Sequence, residues 1–128
     1  MTTQKEYLNK ILVEMVKIDS TSSKEDHSEI TTYMKTLIET ELGFTVETIP
    51  YSENPKKHNI IAYKKPGYKV MLCGHLDTID IGNNWTKDPF TCSYETRENQ
   101  TLVFGRGTTD MKSGNAVLMQ KIIACCSS

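Results

Sequence analysis

The sequence lacks any long hydrophobic run, and its charges nearly balance. No apolar stretch in the 128 residues approaches the roughly 20 that a membrane-spanning helix needs. The 15 basic and 16 acidic residues leave a net charge of −1 and form no basic stripe, so we expect neither a membrane nor a nucleic acid as partner. The start, "MTTQKEYLNK", is polar and mixed in charge, unlike a secretory signal. These features predict a globular, cytoplasmic protein of one domain.

The cysteines are few and are not arranged for cross-linking. The four cysteines are Cys73, Cys92, Cys125 and Cys126, and no two of them form a C-x-x-C pair. Adjacent cysteines at positions 125 and 126 suit neither a disulfide framework nor a zinc knuckle. We interpret all four as reduced thiols and expect Cys73 to be a small buried side chain.

Helical periodicity is present at both ends of the chain. Apolar residues recur at helical spacing over residues 2–18 and again over residues 30–42. Gly43 follows the second stripe, where a left-handed helix end is expected. The stretch "MKSGNAVLMQKIIACC" predicts a third helix. The expected N-caps are Thr2 or Thr3 for the first helix and Ser23 or Asp26 for the second.

Between the second and third helices the pattern becomes that of strands. The turn "PG" at Pro66–Gly67 separates two of them, and "RENQ" joins a predicted hairpin. "VMLC" is uniformly apolar, as in a strand buried on both faces. The order α-α-β-β-β-loop-β-β-α predicts an α/β layered core with a mixed sheet. The five predicted strands are "FTVETIP", "NIIAYK", "KVMLCG", "FTCSYET" and "TLVFG".

A histidine and a carboxylate follow the most apolar of these strands. In "GHLDT", His75 and Asp77 are two residues apart and would point the same way along an extended chain. The Asp77 carboxylate could then fix one imidazole nitrogen and leave the other as a lone pair for a metal. A single histidine at this place is more commonly a hydrogen-bonded structural residue. The motif therefore needs a second element to indicate function.

The second element is "GRGTTDMKSG", between a strand and a helix. A Gly-rich turn of this kind can cradle phosphate, but the glycine spacing fits neither the dinucleotide fingerprint nor the P-loop. The other interpretation is that the glycines let the backbone crowd a site into which Asp110 projects. A divalent metal ion favours such a carboxylate.

Together, "GHLDT", Trp85, "DPF" and "GRGTTDMKSG" resemble the zinc-dependent amidohydrolases. That family includes acetylornithine deacetylase, succinyl-diaminopimelate desuccinylase, aminoacylase and glutamate carboxypeptidase. The resemblance extends over the whole chain in outline and is most detailed from Val70 to Gly114. It implies that residues 1–128 are the N-terminal portion of an incomplete α/β catalytic domain, without the lid and dimerisation domain.

The resemblance also implies roles for three residues. His75 would ligate one metal ion, and Asp110 would bridge two ions. Asp77 would act in catalysis by orienting the His75 ring and tuning its basicity. The two ions would be zinc, with cobalt as the alternative. A cis peptide bond is expected between Asp110 and Met111. The implied reaction is hydrolysis of the amide bond in an N-acyl amino acid or a small peptide, by an enzyme that is a homodimer when complete.

The resemblance further implies parts that this sequence does not contain. The family's catalytic base lies in a Glu-Glu pair downstream of the bridging aspartate, and no Glu-Glu dipeptide occurs here. His27 and His58 are interpreted as exposed structural residues rather than as substitute ligands. The family's further acidic ligand and its late histidine are also expected downstream. Because the base and these metal ligands are missing, we expect the isolated chain to be inactive, and marginally stable or self-associating. The alternative is a non-catalytic α/β module that keeps the scaffold without the chemistry; a nucleotide-binding fragment is a weaker third hypothesis.

Overall fold

The first helix begins with a capping box. The structure is a computed structural model that describes residues 3–65, 67 and 70–126. Helix α1 spans Gln4–Lys17. The Thr3 hydroxyl accepts the Glu6 N–H at 3.2 Å, and the Glu6 carboxylate accepts the Thr3 N–H at 2.6 Å. These two bonds satisfy amide groups that a helix start leaves free, which confirms Thr3 as the N-cap.

The second helix ends as predicted but begins differently. Helix α2 spans Ser28–Leu42, and Gly43 ends it in the left-handed region with φ 61°. Its N-cap is His27, so the prediction of Ser23 or Asp26 was wrong. The Asp26 carboxylate instead accepts the Ser28 N–H at 2.8 Å from one position outside the cap. The His27 ring is buried rather than exposed, with Nε2 2.9 Å from a main-chain carbonyl of the preceding loop.

Two antiparallel hairpins supply the strands. In the first, Thr45 pairs with Tyr63 and Pro50 with His58. In the second, the turn residues Glu98 and Asn99 have φ of 47° and 65°, as a tight two-residue hairpin turn requires. The hairpin predicted around "RENQ" is therefore confirmed. The strands are β1 (Thr45–Pro50), β2 (His58–Tyr63), β3 (Ser93–Arg97) and β4 (Gln100–Phe104).

The core is formed mainly by the three helices. Helix α3, Lys112–Cys126, packs against α1 and α2, and α2 also contacts β1 and β2. The α/β class predicted from the sequence is confirmed, but the described strands form two separate antiparallel sheets rather than one mixed sheet. None of the described helices is both long and apolar enough to cross a bilayer. The core includes Ile11, Leu12, Met15, Val16, Ile30, Met34, Ile38, Leu42, Val46, Ala116 and Met119, all at most 9% exposed.

The strand predicted at "KVMLCG" is not formed by residues 70–74, and Lys69 lies outside the described residues. The side chains of Val70 and Met71 are 75% and 87% exposed, and Cys73 is exposed rather than buried. A strand requires a hydrogen-bonded neighbour, and β2 pairs only with β1 among the described strands. The apolar pattern of "VMLC" predicted a buried strand, but no described residues cover these side chains or pair with this segment as a strand. Pro66 of the predicted turn also lies outside the described residues.

Candidate metal centre

The loop between α1 and α2 holds the segment that carries the histidine. Thr21 and Thr78 form an isolated parallel bridge. The Thr78 N–H donates to the Ser20 carbonyl at 2.9 Å, and the Thr78 carbonyl accepts the Ser22 N–H at 2.7 Å. The Ser20 hydroxyl donates to the Leu76 carbonyl at 2.7 Å. Because Ser20, Thr21 and Thr78 are buried, these bonds fix the segment on its inner side.

The aspartate lies in the tight turn that leads into α3. Gly107 has φ 82°, and its carbonyl accepts the Lys112 N–H at 2.8 Å, which closes the turn around Asp110. A Cβ atom at residue 107 would lie only 2.6 Å from the Thr78 methyl group. Glycine is thus required both for the backbone angle and for contact with the histidine-bearing segment. The Asp110–Met111 peptide bond is cis, as the resemblance implies.

These two segments bring His75, Asp77 and Asp110 together. Nε2 of His75 lies 2.9 Å from Oδ1 of Asp110. Nδ1 of His75 lies 2.8 Å from the main-chain carbonyl of Asp77, and 3.6 Å from its carboxylate. The side chains of His75, Asp77 and Asp110 are 45%, 57% and 79% exposed. The site is therefore open to solvent, and the Asp77 backbone makes the shorter contact with the ring.

The surroundings of His75 favour its protonated form. The main-chain carbonyl of Asp77 raises the pKa of the His75 imidazole above its ordinary value. Partial burial lowers the pKa, whereas the Asp110 and Asp77 carboxylates raise it further. A metal ion that binds Nε2 therefore competes with a proton for the ring.

A buried lysine lies beneath this site. The Lys112 side chain is 1% exposed, and its ammonium group donates to the carbonyls of Met15 at 2.9 Å and Ile18 at 2.8 Å. Burial lowers the pKa of Lys112 to about 8, with the nearby Asp19 carboxylate opposing this shift. The lysine joins the start of α3 to the last carbonyls of α1, where a cation is favourable. The sequence patterns did not predict this contact.

The loop that carries Trp85 is joined to the glycine-rich turn. The Arg106 guanidinium lies over the Trp85 ring, 5.1 Å from its centre, and donates to the Ile81 carbonyl at 3.0 Å. The Trp85 indole N–H donates to the same carbonyl. These contacts connect two of the segments that carry the family resemblance.

The donor atoms fit one metal ion in part. Two ligand atoms on one tetrahedral zinc ion lie about 3.3 Å apart, close to the 2.9 Å between Nε2 of His75 and Oδ1 of Asp110. A zinc ion needs at least one further protein ligand. Within the part of the chain that the structure describes, no group of three or more His, Cys, Asp or Glu side chains could hold a metal. The pair is thus a partial ligand set.

The fold and these residues define a class: an α/β protein with an open site where an imidazole and a carboxylate meet. No family model matches the chain. Individual curated proteins do match the chain, and those with high similarity are named either acetylornithine deacetylase or succinyl-diaminopimelate desuccinylase. The chain belongs to the amidohydrolase and peptidase family of acetylornithine deacetylase and succinyl-diaminopimelate desuccinylase.

Three relatives illustrate the similarity. An acetylornithine deacetylase of Proteus mirabilis is 33% identical over 115 residues, which is 87% of this chain and 28% of the relative. One from Photorhabdus laumondii is 38% identical over 85 residues, 64% of this chain and 21% of the relative. A probable succinyl-diaminopimelate desuccinylase of Staphylococcus epidermidis is 33% identical over 119 residues, 90% of this chain and 26% of the relative. The matched part of the chain thus spans about a quarter of the length of these relatives.

Proposed function

We propose that this chain supplies metal-binding residues of an enzyme that hydrolyses the amide bond of N-acyl amino acids or small peptides. The single observation that carries the proposal is the 2.9 Å contact between His75 and Asp110, which come from the two motifs of the family resemblance. The names of the relatives, a deacetylase and a desuccinylase, support removal of an acyl group from an amino acid.

In this proposal, His75 would hold one divalent ion through Nε2, and Asp110 would help to hold two ions through its carboxylate. Asp77 fixes the ring through its main-chain carbonyl at Nδ1, so that Nε2 faces Asp110. The ions are zinc, with cobalt as the alternative. A bound divalent ion would supply Lewis acidity towards the amide carbonyl. The exposure of all three side chains leaves them open to a small-molecule substrate.

A carboxylate base is also needed to move a proton from water to the leaving amine. The sequence contains no Glu-Glu pair, which is where the family resemblance would put that base. We therefore propose that the 128 residues, with this partial ligand set, bind a divalent ion weakly and do not catalyse turnover by themselves. Cytoplasmic location and homodimerisation of the complete enzyme stay predictions.

The test is a calorimetric titration of the chain with Zn²⁺, repeated with Co²⁺ and followed by visible absorption. We expect His75→Ala and Asp110→Ala each to lower the affinity at least tenfold. The matched controls are His58→Ala, at a half-buried histidine of β2, and Glu53→Ala, at an exposed carboxylate. These should stay within twofold of the unaltered chain. Equal losses in the controls and the site variants would show adventitious binding and reject the proposal.

One observation favours the second candidate, a non-catalytic module: the described residues hold no complete metal-ligand group. In that case the unaltered chain binds Zn²⁺ no better than His75→Ala does. The titration therefore separates the two candidates directly. Hydrolysis of N-acetyl and N-succinyl amino acids, assayed with and without added Zn²⁺, should show no turnover by the 128 residues. Turnover that survives Asp110→Ala would contradict the proposed site.

A further inference from the structure

Met111, just before α3, and Asn115, in the first turn of α3, contact the N–H and the carbonyl of His75. The His75 N–H donates to the sulfur of Met111 at 3.5 Å. The His75 carbonyl accepts a hydrogen bond from Nδ2 of Asn115 at 2.7 Å. Met111 comes directly after Asp110 in the chain and Asn115 four residues after Met111, whereas His75 is 40 residues away from Asn115. Residues 110–115 therefore carry the carboxylate and also bind the main chain of His75.

The side chain of Asn115 is buried and closely packed where it makes this contact. Its side chain is 5% exposed, and its own N–H donates to the Met111 carbonyl at 3.0 Å. A Cβ atom at Gly74 would lie 2.2 Å from Oδ1 of Asn115, so only glycine allows this approach. The amide thus lies against the Gly74–His75 peptide as well as bonding to it.

An asparagine inside a helix requires a reason, because asparagine is a weak helix former and a buried amide is unfavourable unless it is bonded. The bond to the His75 carbonyl provides that reason. The opposite side of the segment is already held by Ser20, through the Leu76 carbonyl. Asn115 is the contact on the side of Asp110, and it acts on the backbone rather than on the ring.

We propose that Asn115 is a positioning residue, which fixes the main chain of His75 so that the imidazole faces Asp110. This proposal rests on the proposed function in one respect: the His75 ring that Asn115 positions is the metal ligand of that function. Without the Asn115 bond, the main chain of His75 keeps only the Met111 sulfur, a weak acceptor, on this side, and the exposed contact between Nε2 and Oδ1 is too weak to fix the ring. The amide makes the ring orientation independent of that contact.

The experiment uses the 128-residue chain with Asn115→Ala and, as the second variant, Asn115→Asp. The aspartate keeps the shape but, when ionised, has no N–H to donate. Gln120→Ala is the matched control, because Gln120 is a buried amide (8% exposed) five residues further along the same helix. Three quantities are measured: the Zn²⁺ affinity by calorimetry, the ¹⁵N signals of the His75 ring in metal-free protein, and the thermal midpoint.

We expect both Asn115 variants to lower the Zn²⁺ affinity by about 10- to 100-fold, the usual range for a lost outer-shell contact. We also expect them to shift the His75 ring signals towards those of a free imidazole. Gln120→Ala should change neither quantity, even if it lowers the thermal midpoint by as much. If the Asn115 variants lower only the midpoint, the residue is structural and the proposal is overturned. If Asn115→Ala does not fold, Asn115→Asp decides the matter by the same readouts.

The ring signals also separate this proposal from the proposed function. If the unaltered chain binds no Zn²⁺ but the ring signals still depend on Asn115, the metal site fails and the positioning role stands. If Zn²⁺ binds through His75 and Asp110 while both Asn115 variants leave affinity and ring signals unchanged, the metal site stands and the positioning role fails.

Discussion

Nε2 of His75 and Oδ1 of Asp110 lie 2.9 Å apart, although 35 residues separate them in the chain. The two side chains are 45% and 79% exposed. Exposed ion pairs contribute at most about 1 kcal/mol to stability. The proximity of these two residues therefore follows from the buried contacts around them, and the pair itself is free to serve another purpose.

Asp110→Asn tests this separation of stability from function. The amide keeps the size of the carboxylate but removes its charge, so the free energy of unfolding should change by less than about 1 kcal/mol. Urea unfolding followed by circular dichroism measures the change. A loss of several kcal/mol would mean that the pair is a structural element of the fold, contrary to its exposure.

Lys112 should behave in the opposite way. Its ammonium group is buried and donates to the carbonyls of Met15 and Ile18. Lys112→Met removes both bonds and leaves two helix-end carbonyls without this donor, which should cost about 2–3 kcal/mol. Lys121→Met, at an exposed position of the same helix, should change the stability by less than about 0.5 kcal/mol. Equal effects of the two substitutions in urea unfolding would refute the anchoring role.

Local patterns predicted much of this fold and part of its site. The Thr3 cap, the Gly43 helix end and the hairpin at Glu98–Asn99 depend on neighbouring residues, and all three are confirmed. The meeting of His75 and Asp110 was predicted from two motifs considered together. These features are readable because each needs only short-range geometry or a recognised pair of segments.

Three of the failures involve distant partners. The apolar stretch after Val70 resembles a buried strand, but strand formation depends on a neighbour that a local pattern does not specify. Asn115 and Lys112 act through bonds to residues 40 and 94 or more positions away. A buried polar residue within a helix was the available signal, because such a residue must have a partner.

Gly107 and Gly43 form a matched pair of substitutions to alanine. Both have positive φ, 82° and 61°, but a Cβ at Gly43 meets nothing within 4 Å. At Gly107 it would lie 2.6 Å from a Thr78 methyl and 3.1 Å from a Lys112 methylene. Gly43→Ala should destabilise by about 1 kcal/mol through backbone strain alone. Gly107→Ala adds overpacking and should cost roughly 2–4 kcal/mol.

Thermal or urea unfolding of the two glycine variants measures this difference. If Gly107→Ala costs no more than Gly43→Ala, the turn does not pack against the Thr78 segment as closely as the distances indicate. A further variant, Gly107→Ala with Thr78→Ser, removes the methyl group that clashes. It should be less destabilised than the sum of the two single variants, because the two sites are in contact.

Asp19 should make the free energy of unfolding of the chain depend on pH in the acidic range. Partial burial raises the pKa of Asp19, but hydrogen bonds from the Thr21 N–H at 3.0 Å and hydroxyl at 2.8 Å outweigh it. With help from Lys24 and Lys112, the folded pKa lies below the ordinary value of 3.8. A lowered folded pKa means that the unfolded chain binds more protons in this range. The stabilisation is therefore fully present above pH 3.8 and is lost as the pH falls through the folded pKa.

Asp19→Asn removes the charge, so its stability should lack this acid dependence. The difference in unfolding free energy between the unaltered chain and the variant should be largest at pH 6, at about 1 kcal/mol, and should shrink at pH 3. Asp26→Asn is the control, because Asp26 accepts the Ser28 N–H at 2.8 Å at an exposed place where water competes for the carboxylate. Its difference should be smaller at both pH values. A gap between the unaltered chain and Asp19→Asn that stays constant from pH 6 to pH 3 would mean that the Thr21 bonds hold the carboxyl and the carboxylate equally well.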